Sequence, residues 1–374
     1  MSRPLLLALL LALLTAPAAW AQQPPPSPPA AIPPPPPGWT PSPVPPGEEK
    51  PPPKPKPVRS APAIPRSWAW REIGVVTRRG LLGGDAAAFR PREALTRGEL
   101  GELVAALAET PARTAASPEA HVSLALLDAA LVSALDLRET AARFHTAAKS
   151  AGLEPPSRFG TEVVARLLGL RKNHEGADER LELEPSRDVS RAEAAYSAAQ
   201  ILRLEAGKLE RTRAAARSFA VPTLTPRQRQ VLRTATAFVG YPYVWGGASE
   251  RAQGPYPAGG FDCSGFVWRV YKSGRYPGAE RPTTTLRGRS TYSMSGEFPK
   301  GERIPRSRLA PADLLFFGLR GTDSRPNEVD HMGIYLGNGW ILHAGGRGVT
   351  LTPLEDWYRE RFAWGRRPLA EAGL

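Results

Sequence analysis

One cysteine and two histidines in the last third of the chain could together perform nucleophilic catalysis. Cys263 is the single cysteine among 374 residues, which excludes an intramolecular disulfide, a cysteine-based zinc site and an iron–sulfur cluster. It stands between Asp262 and Ser264 at the predicted start of an amphipathic helix, where free amide groups and the helix dipole favour an anion. We therefore predict a nucleophilic thiol with a lowered pKa. The alternative is a structural cysteine in the core.

Two histidines downstream, His331 and His343, could supply the base. Each lies in a segment with the pattern of a β-strand, and a turn signal, Gly337-Asn338-Gly339, separates the two segments. In a nucleophilic mechanism one imidazole takes the thiol proton, and a second group fixes its tautomer and orientation. Both imidazoles must then lie on one face of a hairpin.

The length of the hairpin loop decides which side chains share a face. A three-residue loop, 337–339, pairs Leu336 with Trp340 and therefore Gly333 with His343, which leaves the two histidines on the same face. A two-residue turn would place them on opposite faces. We predict the three-residue loop, because catalysis needs the first arrangement.

The region that holds these residues opens with a helix start. Thr225 is a predicted N-cap, Pro226 occupies the first helical position, and Gln228 completes a capping box. An apolar stripe at helical spacing follows: Val231, Leu232, Ala235, Phe238 and Val239. Helices followed by paired strands predict an α+β domain over residues 225–374.

Residues 67–215 are alanine-rich, and their pattern is mainly helical. Two predicted helix starts in this region carry the same capping box, Thr96 with Glu99 and Ser190 with Glu193. These signals alone predict capped helices of a bundle.

The composition of the first 66 residues predicts a targeting signal and a spacer rather than a folded domain. A positive residue, an apolar run over 5–14 and small residues at 19 and 21 predict a signal peptide over 1–21, with no membrane anchor after its cleavage. Half of the 42 prolines fall between Pro24 and Pro65. Such a composition has little to bury, so we predict a disordered, proline-rich spacer over 22–66.

Five segments of the C-terminal region occur in the order of a known family. They are Tyr243-x-Trp245-Gly-Gly, Asp262-Cys263-Ser264-Gly265-Phe266, the stretch LAPADLLFFG at 309–318, His331-Met-Gly-Ile-Tyr335 and His343-Ala344. This set resembles the NlpC/P60 cysteine peptidases over about residues 225–370. The resemblance implies a papain-like core of helices packed on an antiparallel sheet. One departure is Ala312-Asp313, where the family has Gly-Asp.

The resemblance also implies roles and a substrate. Cys263 would be the nucleophile, His331 the base and His343 the orienting group. Tyr243 would line the nucleophile, and the residues on either side of the cysteine, Asp262 and Ser264, would hold the substrate. The implied activity is hydrolysis of the D-γ-glutamyl–diamino acid bond in the stem peptides of peptidoglycan, without metal or cofactor.

A second resemblance covers part of the helical region. The segments are Gly80-Leu81-Leu82-Gly83-Gly84, Phe89-Arg90-Pro91 and Leu95-Thr96-Arg97-Gly98-Glu99, and they are similar to an S-layer homology module. The second start, at Ser190, has Leu183-Glu184-Pro185 where that family has Phe-x-Pro. The resemblance implies binding of a wall polymer, with Arg97 and Arg191 facing the ligand. A purely structural helical domain remains the alternative.

The net charge and the predicted export together limit the classes of binding partner that we expect. Lys and Arg exceed Asp and Glu by 49 to 36, a formal net charge of +13, which favours polyanionic surroundings. For an exported chain an anionic cell-wall polymer fits better than nucleic acid. We predict a secreted monomer in the cell wall or periplasm. Two alternatives to the endopeptidase stay open: an amidase or thiol acyltransferase on the same core, and a non-catalytic wall-binding protein.

Overall fold

The structure is a computed structural model that describes residues 66–174, 184–251, 253, 259–273 and 285–374. The predicted signal peptide and nearly all of the predicted spacer lie outside these residues, as does Leu183 of the second S-layer-like element. Within the described ranges, no helix has the length and apolar character needed to cross a membrane.

The first described part of the chain is mainly helical, as its pattern predicts. Its helices are α1 Trp70–Arg78, α2 Arg97–Leu107, α3 Leu124–Ala134, α4 Arg138–Ser150, α5 Phe159–Leu168, α6 Arg191–Leu202 and α7 Ala206–Ser218. Both predicted capping boxes form, at Thr96 of α2 and at Ser190 of α6.

Three helix starts in this region are joined in a closed ring. The N–H of Leu95 donates to the carbonyl of Val189, Val189 donates to Val122, and Val122 donates to Leu95, at 2.8, 2.8 and 3.0 Å. All three side chains are fully buried. Each residue directly precedes an N-cap, so a third start at Ser123 of α3 is equivalent to the two that were predicted. It carries leucine where a capping box needs Glu or Gln, which hides it from sequence reasoning.

The C-terminal part confirms the predicted α+β fold. Its helices are α8 Pro226–Ala237, α9 Cys263–Ser273, α10 Thr291–Gly296, α11 Asp356–Arg361 and α12 Pro368–Glu371. Its strands are β1 Ala248–Ser249, β2 Gly260–Phe261, β3 Leu314–Gly318, β4 Val329–Gly337, β5 Trp340–Gly345, β6 Gly348–Pro353 and β7 Phe362–Arg366. Strands β3 to β7 form one antiparallel sheet in the order β6-β5-β4-β3-β7.

The predicted helix start at Thr225 is confirmed, and the helix that begins at Cys263 packs on the sheet. Thr225 and Gln228 make both bonds of a capping box at the start of α8. Helix α9 lies against β4 and β5, the two strands that carry the histidines. Phe266, Val267 and Val270 of α9 are fully buried against this core. Apolar packing therefore holds the first residue of α9 at the centre of the sheet.

The hairpin of β4 and β5 has the predicted pairing at the histidines but not the predicted loop. Ile334 pairs with Leu342, a register that sets Gly333 opposite His343. Gly337, and not Leu336, pairs with Trp340, so the turn has two residues, both with positive φ. A β-bulge at Leu336 absorbs the difference. The prediction of a three-residue loop was therefore wrong, and the bulge keeps both histidines on one face.

Ala312, at the predicted departure from the family motif, has a φ of 68°. This left-handed conformation is the one that glycine adopts without strain, so the change from glycine to alanine is less conservative than its size suggests. The following Asp313 accepts two hydrogen bonds of 2.8 Å from Arg367, and Tyr271 donates to the Ala312 carbonyl. These contacts hold the entry to β3 in place.

One hydrophobic core runs through both parts of the chain. Trp340, at the start of β5, packs edge-on against Phe144 of α4 and Phe219 at centroid distances of 5.6 and 5.1 Å. Arg166 of α5 is buried, pairs with Glu162 and donates to the carbonyl of Gly240 at 3.0 Å. The packing therefore continues across residue 225, where the motifs predict the start of a domain.

Candidate active site

The nucleophile candidate, Cys263, is the first residue of α9 and is 8% exposed. The carboxylate of Asp262 accepts from the N–H of Gly265, which caps the helix, and the Asp262 carbonyl accepts from Phe266 at 2.9 Å. The N–H groups of Met332, Ser264 and Cys263 itself interact with the sulfur. Because Met332 follows His331 on β4, the sulfur lies against the strand that carries His331.

The expected low pKa of the thiol is not what the structure supports. Burial first and the Asp262 carboxylate second raise the pKa of the Cys263 thiol to about 12, and the three N–H groups only partly oppose them. Burial also lowers the pKa of His331 to about 4. Desolvation disfavours a charge on either group. These shifts favour a neutral thiol and a neutral imidazole at neutral pH.

The two histidines are in direct contact, as predicted. Nε2 of His331 lies 3.1 Å from Nδ1 of His343, and the rings are nearly perpendicular. This contact leaves Nδ1 of His331 as the nitrogen available to the thiol. If that nitrogen is to accept a proton, His331 must carry its hydrogen on Nε2 and donate it to His343.

The chain of hydrogen bonds through His331 and His343, which we call the relay, continues to residues that the sequence does not predict. Nε2 of His343 lies 3.1 Å from the hydroxyl of Tyr358 in α11 and 3.3 Å from the hydroxyl of Thr352 in β6. When Nδ1 of His343 accepts from His331, its own hydrogen lies on Nε2, and both hydroxyls can accept that hydrogen. Tyr358 has no signal in the sequence beyond a position just before the last strand, and only the fold brings it to the histidines.

Gly333 makes room for the histidine pair. A Cβ at this position would lie 3.0 Å from the Cβ of His343 and 2.9 Å from the carbonyl oxygen of Leu342. Gly345 has a similar role, since its Cβ would lie 3.3 Å from the ring of His343. Both glycines therefore permit the close approach of backbone and imidazole.

Three residues predicted to bind substrate lie around the nucleophile. Tyr243 is half-buried, and burial, followed by the nearby Cys263, raises the pKa of its hydroxyl. The hydroxyl of Ser264 donates to Asp262 at 2.8 Å and accepts from Arg289 at 2.9 Å. The Asp262 and Ser264 side chains thus have internal partners as well as positions beside the thiol. Arg289 was missed by sequence reasoning.

An aromatic wall stands beside the base. Trp357 of α11 is 43% exposed, and its ring centroid lies 6.0 Å from that of His331. The guanidinium of Arg361 stacks on Trp357 at 4.6 Å and pairs with Asp330 at 2.7 Å. Trp245, two residues after Tyr243, is 76% exposed.

Within the described ranges, no group of three His, Cys, Asp or Glu side chains has the arrangement of a metal site.

The two arginines predicted to face a wall polymer differ in exposure. Arg97 is partly exposed at the start of α2. Arg191 is 5% exposed, pairs with Glu99, donates to the carbonyl of Leu82 at 3.0 Å and lies 4.8 Å from the Phe89 ring centroid. Its present partners are therefore internal, and polymer binding at Arg97 and Arg191 stays a prediction.

Comparison with known proteins identifies the two regions. Residues 240–367 match the NlpC/P60 family, and residues 64–100 match the S-layer homology domain. The C-terminal region is therefore an NlpC/P60 domain, and both predicted resemblances are confirmed.

The named relatives support the class of protein that the family match indicates, the NlpC/P60 peptidases. A murein DD-endopeptidase of Escherichia coli is 32% identical over 139 residues, which cover 36% of this chain and 44% of the relative. A gamma-D-glutamyl-L-lysine dipeptidyl-peptidase of Bacillus subtilis is 30% identical over 145 residues, which cover 38% and 41%. The chain thus spans less than half the length of these relatives. A solved NlpC/P60 family protein from Bacillus cereus is 30% identical, with a TM-score of 0.30 over 41% of this chain and 43% of that one.

The raised pKa of Cys263 predicts how the thiol reacts with iodoacetamide. Only the thiolate reacts, and below a pKa of about 12 its fraction rises about tenfold per pH unit. We expect slow alkylation of the native protein at pH 6 and a steep rise in rate from pH 7 to pH 9, measured by mass spectrometry. The urea-unfolded protein is the control. Fast native alkylation at pH 6 that levels off with pH would instead indicate a thiolate–imidazolium pair.

The relay predicts an order of losses in kcat. Tyr358→Phe removes one of two hydroxyls at Nε2 of His343, so we expect a loss of about three- to tenfold, the size of one hydrogen bond. His343→Ala should cost more, and His331→Ala most, because water cannot replace the proton acceptor. Tyr335→Phe is the matched control, since this hydroxyl accepts from Gly339 at the hairpin turn. Equal kcat values for the two tyrosine variants would remove Tyr358 from the relay.

Proposed function

We propose that this protein is a cysteine endopeptidase that hydrolyses the stem peptides of peptidoglycan at the D-γ-glutamyl–diamino acid bond. The observation that carries the proposal is the contact of 3.1 Å between His331 and His343, on the strand pair whose Met332 N–H interacts with the sulfur of Cys263. The names of the relatives support the substrate class, and the name of the Bacillus subtilis relative supports the choice of bond.

In the proposed mechanism, acylation begins with attack of the Cys263 sulfur on the carbonyl carbon. The thiol proton passes to Nδ1 of His331, and the positive charge is shared with His343 through the hydrogen bond between them. In this mechanism the N–H of Cys263, an amide at the start of α9 with no partner within the helix, donates to the developing oxyanion. The carbon–nitrogen bond then breaks, His331 protonates the leaving amine, and a thioester remains.

Deacylation reverses the roles of the same groups. Water attacks the thioester carbonyl carbon and gives one proton to His331. The carbon–sulfur bond breaks, and the proton returns to the sulfur, so the enzyme is restored and a carboxylic acid is released, which loses its remaining proton to water. The low pKa of His331, about 4, keeps the base neutral between turnovers over the neutral pH range, so that it is ready to accept a proton.

We infer that the protein acts outside the cytoplasm, at the cell wall. The S-layer homology match at residues 64–100 and the wall-hydrolase relatives support this location. Residues 67–215 would bring the catalytic region to the wall, with Arg97 and Arg191 as the positions to test. The net charge of +13 suits an anionic polymer as partner.

The test of the proposed function is digestion of purified muropeptides by the full chain, followed by mass spectrometry. The expected products end in D-glutamate on one side and begin with the diamino acid on the other. Cys263→Ala is the control and should give no products. Cleavage of cross-linked dimers alone would move the scissile bond to the cross-link. Transfer of the acyl group to an added amine, without hydrolysis, would favour the acyltransferase, and binding without any reaction would favour the non-catalytic alternative.

A further inference from the structure

One residue of the helical region bonds to two segments that flank the candidate active site, the segment at Tyr243 and the turn at Gly346. Asn173 follows α5, whose end is fixed by Gly169 in a left-handed conformation with φ 79°. Its side chain makes a two-way clamp on the backbone of Tyr243: Nδ2 donates to the Tyr243 carbonyl at 2.6 Å, and Oδ1 accepts from the Tyr243 N–H at 2.8 Å. Its own N–H donates to the carbonyl of Gly346 at 2.9 Å.

The Tyr243 side of this connection leads to the nucleophile. Tyr243 forms a parallel bridge with Phe261 of β2, and Val244 and Pro242 exchange further backbone bonds with Phe261 at 3.2 and 3.1 Å. Phe261 is fully buried and is separated from Cys263 by a single residue. The clamp therefore fixes the segment that runs directly beside the nucleophile.

The Gly346 side leads to the histidines. Gly346 follows β5, and the preceding Gly345 touches the ring of His343 so closely that a Cβ there would lie 3.3 Å away. Arg347 adds a second bond to the helical region, from Nη1 to the carbonyl of Arg166 at 3.0 Å. Asn173 thus bonds both to the segment beside the nucleophile and to the turn that follows the strand of the second histidine.

We propose that Asn173 is a positioning residue that sets the separation between the Tyr243 segment and the histidine hairpin. An asparagine amide satisfies both backbone groups of Tyr243 at once, which no carboxylate or aliphatic side chain of similar size can do. Because a displacement of about 1 Å at a catalytic site lowers the rate by about a hundredfold, loss of this clamp acts on catalysis although Asn173 touches no reacting atom. The inference rests on the proposed function for its turnover readout only.

The test uses two variants of the full chain and a matched control. Asn173→Ala removes both bonds. Asn173→Asp keeps the shape and the acceptor but sets a carboxylate oxygen against the Tyr243 carbonyl. Asn338→Gly is the control, because it removes a similar amide-to-backbone bond of 2.9 Å, to Ala220, at the far end of the same hairpin and keeps the left-handed turn.

We expect kcat on a soluble stem peptide to fall about tenfold or more in both Asn173 variants and to change less than about twofold in Asn338→Gly. Thermal unfolding midpoints of Asn173→Asp and Asn338→Gly should be similar, which separates positioning from stability. The rate of Cys263 alkylation should rise several-fold in the Asn173 variants only. Without the clamp the Tyr243 segment is held less firmly, which exposes the sulfur. If Asn173→Ala does not fold, Asn173→Asp decides.

Wild-type kcat and wild-type alkylation in Asn173→Asp would overturn the inference, and so would failure of that variant to fold, which would make the clamp structural. The alkylation readout needs no stem peptide. A wild-type protein that cleaves no muropeptide, with Asn173 variants that still change alkylation, would therefore reject the proposed function and keep the positioning role.

Discussion

Replacement of Cys263 by alanine is expected to abolish hydrolysis and to leave the fold intact. Only the sulfur can form the acyl intermediate, so the loss in kcat should be at least about 10⁴-fold, the scale on which nucleophile replacements fall in peptidases. The fold should persist because the side chain is small, and helix α9 is held by Phe266, Val267 and Val270 and not by the thiol.

The measurement is product formation from muropeptides, together with the thermal unfolding midpoint of each protein. Cys263→Ser is a near-isosteric second variant, and its hydroxyl should be almost inactive because the neutral imidazole of His331 is a weak base. Residual turnover near the wild-type rate in either variant would exclude Cys263 as the nucleophile. A large fall in the unfolding midpoint of the alanine variant would revive the structural role of the cysteine.

Removal of residues 1–215 is expected to destroy the stability of the catalytic region. The sequence motifs predict a self-contained domain from residue 225, but the truncation uncovers Trp340 and strips Phe144 from it. It also removes the bonds from Arg166, Arg158 and Asn173 to the backbone of residues 237–243. Each large apolar side chain that is uncovered costs about 1.5–3 kcal/mol, against a total stability of about 5–15 kcal/mol.

The matched control removes residues 1–65 only, which lie outside the described residues, and should keep both stability and activity. Circular dichroism and thermal unfolding of the two truncated proteins are the measurements. If the shorter fragment fails to express, Glu162→Ala in the full chain gives the same information. It removes the buried carboxylate that pairs with Arg166 and should lower the free energy of unfolding by about 3–5 kcal/mol. A fragment that unfolds cooperatively at the full-length midpoint would restore the independent domain.

The features that the sequence predicted well are those with local physical causes. The capping boxes at Thr96, Ser190 and Thr225 form because the N-cap and the third helical residue exchange bonds within one turn. Cys263 opens a helix because Asp262 caps it and an apolar stripe follows. The two histidines meet because strand alternation and the hairpin register place residues at a fixed offset on one face.

The features that escaped the sequence depend on packing between distant segments. The bulge at Leu336 changes the loop and rescues the register, but no residue type announces it. Tyr358 reaches His343 only after the chain has passed through β6 and turned into α11. The helix start at Ser123 lacks the capping-box glutamate and becomes visible only through the ring of bonds with Leu95 and Val189.

The ionisation of the site was also a property of the whole fold. The helix start alone favours a thiolate, and on that local ground a low pKa for Cys263 was predicted. The tertiary structure buries the sulfur, and the loss of solvation outweighs the nearby amide groups, so the pKa is raised.

The sequence by itself determined which residues are the candidates for nucleophile, base and orienting group, because residue type and short-range spacing carry that information. Only the tertiary structure decided that α5 and Asn173 bond to the segment over residues 240–243 beside the candidate active site. Those contacts join residues about 70 or more positions apart. Bonds over such distances in the chain exist only once the common core has formed, and no local pattern encodes them.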